Sequence, residues 1–205
     1  MLKDDFLRIT SSYAIDKQLP GKLWDEIMVA HTTSSRYYHT LTHLENLYKE
    51  LVSIKNVIED WESIIFAIVY HDFVYDISSA DNEAQSAEIA INRLQEINYP
   101  ASKTERCKAH ILATKTHKTA ADNDTNLFTD ADLSILGTDW ENYKEYALNI
   151  AKEYARMPMF KLGRKGVMLN FLKMSRLFKT EYFHDKYEAQ ARNNIQREID
   201  EMLSA

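Results

Sequence analysis

His71 and Asp72 sit side by side in the apolar segment IIFAIVYHDFVYD, residues 64–76. A carboxylate taken out of water needs a compensating charge. A divalent cation supplies one, and imidazole nitrogen with carboxylate oxygen suits zinc, iron, manganese or nickel. Upstream, RYYHTLTHLENL sets His39 and His43 four residues apart; downstream, NLFTDADLSILG carries Asp130 and Asp132. Three distant segments, each read as a helix, thus offer a metal centre around His71 and Asp72, with His39 and His43 on one side and Asp130 and Asp132 on the other as candidate companions. Three or four protein ligands with water in the open positions make a reactive centre more plausible than a closed structural one.

Residues four apart on a helix differ by about 40° in projection. His39 and His43 therefore share a face if the helix starts early enough, and His39 aims elsewhere if it precedes the helix. Adjacent His71 and Asp72 lie about 100° apart on a wheel, so an ion over the angle between them reaches both. A phosphorylated substrate also needs cationic donors. Arg36 stands three residues before His39, and Lys115 two before His117. Arginine grips phosphate with two prongs and lysine adds a mobile point charge, although each also reads as a solvated helix-end charge. Glu83, in DNEAQSAE, orients water or accepts a proton, or simply suits the first turn of a helix. His117 is a candidate for a second metal or for substrate. His110, seven residues earlier, is expected to be solvated, and His31 and His184 to be ordinary helix or surface histidines. Tyr37, Tyr38, Tyr70, Phe73 and Tyr75 line a base-stacking pocket or pack in the core.

The elements that must hold these residues read as helices. Only four glycines and three prolines punctuate 205 residues, which suits long helices and short turns. The spacing predicts an all-α fold with helices at 3–18, 21–31, 40–55, 60–75, 82–97, 102–116, 129–136, 139–156, 160–178 and 182–203. Ala87, Ala90, Ile91 and Leu94 describe one buried face; Tyr143, Tyr146, Ala147 and Ile150 describe another. IIFAIVY reads as a buried helix, because no turn residues flank it as they would a strand. Ser102 with Glu105 resembles a capping box, and Gly137 suits the end of a short helix. THKTAADNDTNL reads as a surface loop. No repeat or Gly/Ser-rich linker divides the chain, so residues 1–205 are expected to form a single helical domain.

Composition narrows the partners. Twenty-five basic against thirty-one acidic residues give a net charge of −6, which disfavours a nucleic-acid polymer or an anionic membrane as partner and leaves local basic patches open. The longest apolar run, Ile64 to Tyr70, is too short to cross a bilayer. MLKDDFLRIT is acidic where a secretion signal needs a basic start, so no targeting segment is expected. One cysteine, Cys107, cannot form an internal disulfide and fits a reducing cytoplasm, where it reads as a packing residue. A homo-oligomer is allowed.

In the order H, HD, D, the set His43, His71-Asp72 and Asp132 resembles the HD-domain superfamily of metal-dependent phosphohydrolases. That resemblance implies an all-helical fold, one or two divalent ions per chain (Mn, Zn, Fe, Ni, Co or Mg) and a small phosphorylated substrate. YHTLTHL is also similar to the His-Asn-x-x-His segment of cyclic-nucleotide phosphodiesterases, with Thr40 in place of the asparagine. By that likeness His39 is the general acid and His43 a ligand. YHTLTHL, HDFVYD, DNEAQSAEIA, ATKTH, DADLSILG, GRKGVMLNFL and EAQARNNIQREI together resemble a group of uncharacterised HD phosphohydrolases, covering most of the chain after residue 30. The implied reaction hydrolyses a phosphomonoester or phosphodiester, a nucleotide among the candidates, with a metal lowering the pKa of its water. Two rivals stand beside it: a noncatalytic HD module binding a nucleotide or protein, and a diiron oxygenase using His110 or His117.

Overall fold

From Ile64 to Tyr70, every side chain is at most 1% exposed, so this stretch runs through the middle of its surroundings. It is a helix although it is rich in β-branched residues. The propensity deficit of Ile and Val is at most about 0.7 kcal/mol each, and a strand would need a partner strand that the sequence does not offer. Asp60 starts this helix by accepting from the Ser63 backbone N–H at 3.2 Å. The computed structural model describes residues 1–204. Among them are ten α-helices and two short 3₁₀ turns, and no strand. The fold is all-α, as the sequence predicts.

The chain divides into two compact units, Met1–Thr129 and Asp130–Ala205. The first holds α1 (Leu2–Tyr13), α2 (Leu19–His31), α3 (Leu41–Val52), α4 (Trp61–Tyr70), α5 (Asn82–Glu96) and α6 (Ala101–Ala113). Here α4 packs against α1, α3, α5 and α6, and α5 against α6. Phe6, Leu44, Leu47 and Phe128 join α4 in the core. Then comes α7 (Asn123–Asp132), whose last three residues belong to the second unit. That unit continues with a 3₁₀ turn (Leu133–Gly137), α8 (Trp140–Glu153), α9 (Phe160–Lys173) and α10 (Glu181–Ser204). Along α10 pack the 3₁₀ turn and α9, around Tyr143, Met168, Phe178, Phe183 and Ile195.

Several expected boundaries move. The helix predicted over 60–75 stops at Tyr70, so His71 and Asp72 lie beyond its last turn. No capping box forms at Ser102: α6 starts at Ala101, directly after Pro100, whose extended ψ of 131° sets the entry. The expected loop THKTAADNDTNL becomes helical from Asn123, because Asp122 caps α7 by accepting from the Thr125 backbone N–H (3.2 Å) and hydroxyl (2.7 Å). The helix expected to reach 178 ends at Lys173. Past it, the Leu177 and Phe178 N–H groups donate to Glu188 of α10, which anchors this non-helical segment. Gly137 does end its 3₁₀ turn.

Candidate metal centre

His43 sits in the first turn of α3, buried at 5% exposure, while His71 follows α4 and is 2% exposed. Their Nε2 atoms are 3.2 Å apart. Asp72 Oδ2 lies 3.0 Å from His71 Nε2 and 3.6 Å from His43 Nε2, with its side chain about a fifth exposed. Three donor atoms in the first unit therefore face one point. Two donors bound to one ion at 2.0–2.2 Å stand about 3.0–3.6 Å from each other, so this triangle has the dimensions of a coordination shell.

The His71 ring is held in the matching state. Its Nδ1 is 3.0 Å from the Ile68 carbonyl, which only accepts, so Nδ1 carries hydrogen. In the neutral imidazole, Nε2 then presents a lone pair towards an imidazole nitrogen and a carboxylate, an arrangement that a cation relieves. Burial by itself pushes the Asp72 carboxyl up; positive charge on His71, His39 and His43, when these rings are protonated, outweighs it and holds the group well below the ordinary carboxylate range. Two imidazoles and an ionised carboxylate fit a borderline divalent ion such as zinc, iron, manganese or nickel.

His39 lies just before α3, whose N-cap is Thr40, and so is freed from the helical face of His43. Its ring is half-buried, with Tyr75 at 4.2 Å and 33°, Tyr38 edge-on at 5.0 Å, and His43 at 5.8 Å, all between centroids. Of the aromatics singled out in the sequence, Tyr38 and Tyr75 belong to this neighbourhood. Tyr70 is core, at 1% exposure, and Tyr37 is half-exposed.

No protein-family model, curated protein or solved structure matches this chain. The reading of the site thus rests on its residues.

Arg36 is 8% exposed, and its guanidinium donates to the carbonyls of His39 (3.2 Å), Asp72 (2.7 Å) and Phe73 (2.9 Å) while lying 5.2 Å from the Tyr75 ring centre. Sequence reasoning assigned it to substrate; these bonds give it a positioning role, tying the segment of His39 to that of Asp72. The signal is not local, since two of the three partners are main-chain atoms thirty-six and thirty-seven residues away.

Glu83 and Lys115 come together as an ion pair at 3.7 Å, with the lysine also donating to the Ala80 carbonyl. His117 follows α6 with φ of 50°, a left-handed conformation that histidine adopts more readily than bulkier residues. Asp132 is half-buried at the C-terminal end of α7, in the second unit. Its neighbour Asp130 is fully buried and accepts from the Lys179 and Thr180 N–H groups at the entry to α10. His110 corrects an expectation: instead of being solvated it is fully buried, with Nδ1 2.8 Å from the Thr125 hydroxyl. His31 is also buried, its Nδ1 donating to the Ile27 carbonyl at 2.9 Å. Cys107 is buried too, and burial pushes its thiol up, as befits packing.

Proposed function

We propose that this chain is a metal-dependent phosphohydrolase of HD-domain type, acting on a small phosphomonoester or phosphodiester, with nucleotides among the candidates. The observation that carries the reading is the convergence of His43 Nε2, His71 Nε2 and Asp72 Oδ2 within 3.6 Å. A divalent ion, when bound, supplies Lewis-acid charge for a phosphoryl oxygen and makes water more acidic. His39 is the general acid: protonated, it gives its ring proton to the leaving oxygen. Tyr75 and Tyr38 orient that ring, and Arg36 keeps the backbone of the acid in register with that of the ligand Asp72.

The test is elemental analysis of protein purified without added metal, followed on the same sample by hydrolysis of p-nitrophenyl phosphate and bis(p-nitrophenyl) phosphate. Bound metal and metal-stimulated turnover are expected. His71→Ala and Asp72→Ala lose both with the fold retained by circular dichroism, whereas His39→Gln keeps the metal and loses about 10²–10⁴ in turnover. Asp132→Asn tests the fourth proposed ligand. Metal-free protein without metal-stimulated turnover, or full activity in His71→Ala or Asp72→Ala, overturns the proposal.

A further inference from the structure

Between Tyr154 and Thr180 every charged residue is basic, in a chain whose net charge is −6. Three of these cations are neutralised inside the second unit: Arg164 by Glu198, Arg176 by Glu181 and Lys179 by Asp130. The other four, Arg156, Lys161, Lys165 and Lys173, form no salt bridge among the described residues. Apolar side chains stand out in the same segment, with Met159 66% and Leu162 63% exposed and Met157 and Leu169 above a third. A Cβ built on Gly163 or Gly166 would meet no atom within 4 Å, so no described residue packs on α9 at these two positions. A cavity of about 400 Å³ opens beside it, lined by Tyr154 and by residues 155 and 157–162. The turn that shapes it is held by stacking of Tyr154 on Phe160 at 5.3 Å and by the Phe160 N–H donating to the Met157 carbonyl at 3.1 Å.

From this combination we infer that α9 and the turn before it dock on an anionic lipid bilayer. The occupant must accept free cations and exposed Met and Leu side chains at the same level. A bilayer interface does so, with phosphate charge lying directly over acyl chains. A nucleic-acid backbone answers the charge but offers no place for Met159 and Leu162. A second copy of this chain would set a basic patch on an acidic surface elsewhere, a head-to-tail contact that closes only when its rotation completes a ring and otherwise runs on as an open polymer. The net negative charge is no obstacle. Fields decay over about 8 Å at physiological ionic strength, so the membrane feels the patch and not the whole molecule.

Flotation of the full chain with vesicles of phosphatidylcholine and phosphatidylglycerol, against pure phosphatidylcholine, tests this. Binding to the mixed vesicles that falls with added salt is expected. Each basic residue beside an anionic surface strengthens binding about fivefold, so Lys161→Ala with Lys165→Ala lowers partitioning on the order of twentyfold. Met159→Asp with Leu162→Asp abolishes it; both pairs change exposed or half-buried side chains, and circular dichroism checks their fold. Absence of binding at low salt, or binding unchanged in both double variants, overturns the inference. So does self-association in sedimentation velocity that the same variants remove, because the occupant is then a second copy.

Discussion

Arg36 illustrates how much a single side chain decides here. Its guanidinium joins residues before α3 to residues after α4, and both flanks carry site residues. Removing it leaves three carbonyls without their charged donor. Hydrogen bonds to charged groups are worth about 1.5–3 kcal/mol, and partners outside a ligand shell change metal affinity by about 10–100-fold. Arg36→Ala should therefore destabilise the protein by about 2–4 kcal/mol in urea titration and weaken metal binding in calorimetry within that range. Metal affinity equal to wild type would show that the clamp does not position Asp72. Arginine beside a histidine pair reads equally as a phosphate contact and as a structural clamp; only the folded chain shows which carbonyls it meets.

Helix ends follow two rules, one visible in the sequence and one not. Asp60, Asp122 and Asp139 cap α4, α7 and α8 locally, each accepting from the N–H three residues on. By contrast, Asp124 accepts from Glu59 and Asp60, and Asp130 from Lys179 and Thr180, across at least forty-nine residues. These buried carboxylates satisfy consecutive N–H groups at the entries to α4 and α10, where a helix has no internal partner to offer. Gly137 serves α10 differently: a Cβ there would lie 2.5 Å from Tyr187 Cβ and 2.7 Å from its carbonyl oxygen. Overpacking of that kind costs about 1–3 kcal/mol, so Gly137→Ala should lower the thermal midpoint measured by calorimetry. An unchanged midpoint would mean that α10 gives way without strain.

For the molecule as a whole, acid is the expected weakness. Burial lowers His110 to about 4, against the opposing pull of Asp122 and Asp124, and lowers His31 to about 3. Both Nε2 atoms are buried without a hydrogen-bond partner, so neither ring has a ready place for a second proton. In the unfolded chain these histidines titrate near 6.5. Below that value the unfolded state binds more protons than the folded one, so stability is full above about 6.5 and is lost as pH falls towards 4. The loss by pH 4 should be about 3 kcal/mol for each histidine. Urea titrations across this window check it, and His110→Gln should flatten its share of the slope; an identical slope in the variant would refute the assignment.

The sequence alone determined the all-α class, the buried helix at IIFAIVY and the segments holding His39, His43, His71 and Asp72, because apolar periodicity and scarce glycine are local properties. Tertiary structure decided where α4 stops, that Arg36 faces carbonyls and that His110 is buried. Each of those depends on a partner far along the chain, and spacing within a segment carries no record of it. The three donor atoms converge for the same reason: neighbours in sequence supply His71 and Asp72, and packing of α3 against α4 brings His43 to them.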